Sequence, residues 1–194
     1  MTRPFSALRM LLLLPLLSAP VRAQDQGRFA AEIDPATFAM NGYSAHARIA
    51  LGKDSKWELG AGVYGLDFPQ AMIGLDSRNR DQGWDVRLKF GAGLFLDRYL
   101  SADRRGPFAG VQVASQQYRL RNARLGPGES RYTNLLVMPR VGYLWRPGPA
   151  GFYLMPWLGV GYVDKVAGQA SLAGVDYHLS IVTAFATVHA GWRF

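Results

Sequence analysis

The dominant signal along the chain is a period-two alternation of apolar positions with polar or small ones, the pattern of strands whose two faces meet different surroundings. Between Trp84 and Asp97 the even positions are Trp84, Val86, Leu88, Phe90, Ala92, Leu94 and Leu96, and the odd ones Asp85, Arg87, Lys89, Gly91, Gly93, Phe95 and Asp97. The C-terminal segment repeats it, with Val182, Ala184, Ala186, Val188, Ala190, Trp192 and Phe194 against Thr183, Phe185, Thr187, His189, Gly191 and Arg193. Trp57, Leu59, Ala61 and Val63 form another such face, as do Leu135, Val137, Pro139, Val141, Tyr143 and Trp145. In the segment 107–121, Val111 and Val113 share one phase and Tyr118 and Leu120 the other, which reads as a bulge near 115–117.

Apolar faces this long exceed what a soluble sandwich needs, and they predict an all-β fold, an eight-stranded antiparallel transmembrane β-barrel. Working back from the C-terminus, strands are expected at 181–194, 151–163, 132–146, 107–121, 84–97, 56–66 and 38–51. Barrels of this kind have an even strand count, so an eighth is assigned to 27–34, closed by a turn at Asp34-Pro35. Connection lengths alternate. The short ones, 52–55, 98–106 and 147–150, are expected on the periplasmic side, and the long ones, 67–83, 122–131 and 164–180, outside.

Composition adds location and exclusions. Arg3 and Arg9 precede an apolar run at 10–17, and Val21-Arg22-Ala23 offers small residues for cleavage. Residues 1–23 are therefore expected to be a signal peptide that is removed, leaving 24–194 as the barrel domain. With no cysteine, a disulfide scaffold, a thiolate zinc site and a cysteine nucleophile are excluded. The formal charge is +8, but Arg3, Arg9 and Arg22 fall in the leader. The remaining positive charges form no basic and aromatic stripe, so no nucleic acid is expected as partner.

The ending Val188-His189-Ala190-Gly191-Trp192-Arg193-Phe194 is in phase with a whole apolar face, and aromatics recur at strand ends. Trp57, Tyr143, Trp145, Phe152 and Trp192 would form a lower girdle, with Trp84 and Tyr162 an upper one. On these residues the chain resembles the small eight-stranded outer-membrane β-barrel proteins of Gram-negative bacteria. The resemblance implies a monomer in the outer membrane of such a bacterium, in contact with its lipids. It implies that Trp192 and Phe194 are the membrane-assembly signal read by the barrel-assembly machinery. No cofactor and no metal are expected, and the role implied is structural, adhesive or envelope-lipid-binding.

Two sets of residues carry candidate chemistry. An interior polar network is expected from Ser44, His46, Arg48, Glu58, Asp85, Arg87, Lys89, Arg140, His189 and Arg193, because charges in a confined lumen must pair or be solvated. It would fix register and fill the lumen; a proton-active or ligand-binding core built on Glu58 and the histidines is the other reading, and interior water or a bound anion would balance the excess of basic groups. The pairs Gly60/Gly62, Gly91/Gly93 and Gly159/Gly161 lie mid-strand with no helix following, and so read as packing room rather than a phosphate loop. The second set is catalytic. His178 and Ser180 share the lipid-facing phase of the last strand, and in this they are similar to the His-x-Ser pair of outer-membrane lipid A 3-O-deacylases. Those enzymes carry a Glu about a dozen residues further on; here no Glu follows Glu129, and Asp164 is the expected orienter. An ester hydrolase using His178, Ser180 and Asp164 is thus the alternative function.

Overall fold

The structure, a computed structural model, describes residues 27–52 and 55–194. The expected leader and its cleavage site lie outside the described residues. In chain order the elements are β1 (Phe29–Ile33), α1 (Pro35–Ala39), β2 (Tyr43–Ala50), β3 (Trp57–Asp67), α2 (Gln70–Ile73), β4 (Trp84–Tyr99), β5 (Gly106–Asn122), β6 (Ser130–Leu144), β7 (Phe152–Gly168), β8 (Ser171–Leu172), β9 (Val175–Asp176) and β10 (Val182–Arg193). Eight of the strands close into an antiparallel barrel in the order β1-β10-β7-β6-β5-β4-β3-β2, and β8 and β9 form a small hairpin in the connection before β10.

Residues 38–39, expected at the start of a strand, instead end the short helix α1. Asp34 caps it, its Oδ1 accepting from the Ala36 N–H at 3.0 Å, and Pro35 occupies the first turn, where a missing N–H costs nothing. The wall is uneven in height. Strands β4 to β7 are long, whereas β1 pairs with β10 only from Ala30↔Arg193 to Ile33↔Ala190.

The bulge expected near 115–117 lies on the neighbouring strand. Leu88 pairs with Tyr118 and Phe90 with Gln117, so Lys89 is the extra residue, and β5 runs through 115–117 in unbroken register. Below Lys89, β4 turns Phe90, Ala92, Leu94 and Leu96 outward and Gly91, Gly93, Phe95 and Asp97 inward. Above it the faces exchange. Trp84, Val86 and Leu88 are buried, while Asp85, Arg87 and Lys89 lie on the outer face. Three residues expected in the lumen network are thus outside it, and Trp84, expected in an outer girdle, is 2% exposed. On β5 the same inversion needs no bulge. Val111 and Val113 face outward, Tyr118 and Leu120 face inward, and above Val113 the outward positions become Ser115, Gln117, Arg119 and Arg121.

The barrel therefore has two levels. The lower is apolar outside and largely polar inside. The upper reverses this, with a core of Leu66, Ile73, Trp84, Val86, Leu88, Tyr118, Leu120 and Tyr132. Its outer face carries the ion pairs Arg87–Asp67 at 2.6 Å and Arg119–Asp85 at 3.2 Å.

Candidate functional site: a sealed floor and the cavity above it

The lower lumen is filled by charged side chains from β1, β2, β3, β4, β6 and β10. Asp97 is the centre. Arg140 donates to it through Nε at 2.9 Å and Nη2 at 2.5 Å, and Arg48 donates through Nη1 at 2.6 Å. Arg48 Nε lies 2.6 Å from Glu32, whose other partners are the Tyr153 hydroxyl at 2.6 Å and His189 Nδ1 at 3.0 Å. Glu58 accepts from Tyr99 at 3.0 Å and pairs with Arg193 at 2.8 Å. The Phe95 ring sits between Arg48 and Arg140, 4.4 and 4.6 Å from the two guanidinium carbons. Side chains of Glu32, Arg48, Glu58, Asp97 and Arg140 are all fully shielded from solvent. Ions so far from water persist only because each has a close counter-ion and further hydrogen bonds.

Of the network expected from the sequence, the structure places His46, Arg48, Glu58, Arg140, His189 and Arg193 in the lumen together, with Ser44 buried higher on β2. Asp85, Arg87 and Lys89 are excluded by the bulge. Three members were missed: Glu32, Asp97 and the turn residue Arg104, which reaches back to donate to the Gly27 carbonyl at 2.8 Å. Glycines make the space: a Cβ at Gly60 would run into the Phe95 ring, and one at Gly62 into the His46 imidazole.

Donor atoms of Glu32, His46 and His189 lie within 4.8 Å of one another, a spacing a metal ion could use. Both Glu32 oxygens are already engaged, and Arg48 and Arg140 bring positive charge to the same place. The trio is better described as the upper edge of the ion-pair network.

Above this floor is a cavity of about 610 Å³. Arg140, Trp157, His46 and His189 form its base: the Arg140 guanidinium stands 5.1 Å from the Trp157 ring, Trp157 is 5.7 Å from His189, and His46 stacks on His189 at 4.6 Å. Tyr118, Tyr132, Leu88 and Ile73 line its upper part, and residues 177–180 with Asn79 lie at its rim. Burial pushes the Tyr177 phenol up to about 12.

The expected catalytic trio does not assemble. His178 and Ser180 precede β10 rather than lying on it. The Ser180 hydroxyl donates to the Val182 carbonyl at 2.5 Å, and His178 is held by its backbone, which exchanges two hydrogen bonds with the Asn79 side chain. Asp164 lies exposed on β7 opposite Leu135. Among the described residues no hydrogen bond or ion pair joins any two of the three. At the C-terminus, Trp192 faces outward, and the Phe194 backbone pairs with Phe29 and Gly27.

The geometry defines the class, a closed eight-stranded antiparallel β-barrel with a blocked lower lumen. No family model, curated protein or solved structure matches the chain.

Proposed function

We propose that this chain is an integral outer-membrane β-barrel that holds an envelope lipid and conducts nothing through its axis. The exchange of faces at Lys89 carries the reading. A barrel surrounded by water would present polar side chains outward over its whole height, whereas here the outer face is apolar below that level and charged above it. Along β6 and the residue after it, Leu135, Val137, Val141, Tyr143 and Trp145 are all exposed to about half their area. At about 3.3 Å per residue the path from Leu135 to Trp145 is roughly 33 Å, and a strand tilt near 40° converts it to about 25 Å of height, the thickness of an outer-membrane apolar band. Trp57, Tyr143, Trp145, Phe152 and Trp192, all exposed at the lower end, suit an interfacial girdle.

The filled floor argues against a porin-like path, since eight strands leave space that side chains occupy. The separation of His178, Ser180 and Asp164 gives the hydrolase alternative no geometric support. The test is fractionation. The protein should stay with outer membranes through salt and carbonate washes and should migrate faster on gels before heating than after. Recovery as a soluble periplasmic protein refutes the membrane reading.

A further inference from the structure

The register places arginines side by side across three strands. Arg87 pairs with Arg119 and Arg119 with Arg131, so guanidiniums from β4, β5 and β6 form one row on the outer face. Directly opposed residues have Cβ atoms roughly 4.5–5.5 Å apart, and like charges so placed repel. Lys89 and Arg121 stand beside the row, and the carboxylates on this part of the wall are Asp67, Asp85 and Glu129, which makes five cations to three anions. The anions do not saturate the cations. Glu129 is shared by Arg121, at 2.9 Å, and Arg131, and Asp85 takes one N–H of Arg119, at 3.2 Å. Nη1 of Arg119, of Arg121 and of Arg131 has no hydrogen-bond partner among the described residues, and the Arg121 and Arg131 side chains are 51% and 71% exposed.

The row sits directly over the apolar band. On β6, Arg131 is four residues above Leu135, a separation that gives about 13 Å of strand and about 10 Å of height at the tilt used above. Lipid head groups occupy this level, since the interfacial layer adds about 5–7 Å on each side of the hydrocarbon, and the flexible arginine side chain can reach down into it. The wall is therefore amphipathic from below upward: Leu135, Val137 and Val141 offer an apolar surface for chains, and the arginines offer charge for the group those chains carry. An acidic protein or a nucleic acid would match the charge but leave the apolar surface beneath it unused.

We propose that the arginine row binds the phosphate head group of an outer-leaflet lipid whose acyl chains lie against the apolar band below. This rests on the membrane reading above and names the chemical class of the envelope lipid it leaves open. Phosphate suits the row because its oxygens accept from more than one guanidinium at once, in the paired geometry that arginine forms and lysine does not. A phosphate seated there also offsets the two cations in excess and the repulsion between neighbours.

Native mass spectrometry of the folded protein, extracted from membranes in detergent and mixed with dipalmitoyl phosphatidate, dipalmitoylglycerol or inorganic phosphate, tests this. Phosphatidate should add with a one-to-one mass shift and diacylglycerol about tenfold more weakly, since hydrogen bonds between charged groups are worth about a factor of ten or more. Inorganic phosphate at the same concentration should not add, because it lacks the chains. Arg119→Gln and Arg131→Gln should each weaken phosphatidate by about threefold and together by about tenfold, the scale of partly exposed ion pairs; Arg105→Gln, which removes the same charge in the lower turn, should leave it unchanged. Should Arg119→Gln fail to fold, Arg131→Gln decides, its side chain being the most exposed of the row. Equal adducts with phosphatidate and diacylglycerol, an adduct with inorganic phosphate as strong as with phosphatidate, no effect of Arg131→Gln, or an equal loss in Arg105→Gln each overturns the proposal. Failure of the membrane reading is seen separately, as absence of the protein from the membrane fraction before any lipid is added.

Discussion

Removing the Asp97 carboxylate should cost more than any single outer-face substitution, and the structure says where the cost falls. In Asp97→Ala, Arg48 retains Glu32 at 2.6 Å, so its charge stays compensated. Arg140 does not. Both of its hydrogen bonds, at 2.9 and 2.5 Å, go to Asp97, and its Nη1 already lacks a partner, so the substitution leaves a fully buried guanidinium stripped of its hydrogen bonds and close counter-ion, packed against the rings of Phe95, Phe108 and Trp157. An uncompensated buried charge of this kind costs about 3–5 kcal/mol. If that stranded cation is the cause, Asp97→Ala should be much milder in an Arg140→Met background, where no charge is left behind. A double-mutant cycle should then show a coupling of about 2 kcal/mol or more. The measurement is urea unfolding of the refolded barrel in lipid vesicles, followed by tryptophan fluorescence. Additivity to within about 0.5 kcal/mol would refute the argument, because residues that do not share an interaction add to that tolerance.

Deleting Lys89 should remove the bulge yet keep Trp84, Val86 and Leu88 inward, because Leu88 would then precede Phe90 directly in ordinary alternation and keep Tyr118 as its partner beside the Phe90–Gln117 pair. The deletion and Lys89→Gln should therefore both still give a folded barrel by heat-modified gel migration, and loss of folding in the deletion would refute Lys89 as the extra residue. Cysteines placed at Asp76 and Gly168 should react with an impermeant reagent on intact cells, and one at Pro149 should not; the reverse pattern would invert the orientation. In the loop between β3 and β4, hydrogen bonds from the Arg78 side chain, and second from its backbone N–H, lower the Asp76 carboxyl to about 2 from 3.8. The contact therefore contributes fully above the ordinary carboxylate range and is lost as pH falls through about 2, so carboxyl NMR should show Asp76 titrating there, and Arg78→Ala should return it toward 3.8.

The alternation made the barrel, its strand count and most of its register legible, because a long period-two face admits few other readings. It hid the exchange of levels on β4, where Trp84, Val86 and Leu88 continue in sequence the phase of Phe90, Ala92 and Leu94 and the extra residue is a lysine that suits either face. β5 displayed the exchange openly, as Val111 and Val113 against Tyr118 and Leu120, but one strand alone cannot tell a bulge from a change of surroundings. Glu32 escaped notice because β1 is too short to show a period. The helix after it had left a signal, Asp34 followed by Pro35, which fits a helix cap as well as a turn. The strand phase assigned to His178 and Ser180 did not hold for a local reason: the last strand starts at Val182, two residues after Ser180, so a phase extrapolated backwards from it has no meaning at His178.

The ion network has a consequence for how the ring is assembled. Its contacts join the two ends of the chain: Glu32 meets His189 across 157 positions and Tyr153 across 121, and Arg193 reaches Gly27 across 166. The contacts of His189 and Arg193 cannot form until the final strand has arrived beside the first, and a slip of one residue would turn Glu32 outward. A ring with a strand missing or out of step leaves carboxylates and guanidiniums apart in an apolar interior, so closure is favoured only when it is correct. The lumen thereby acts as a proofreading step on the closing of the ring.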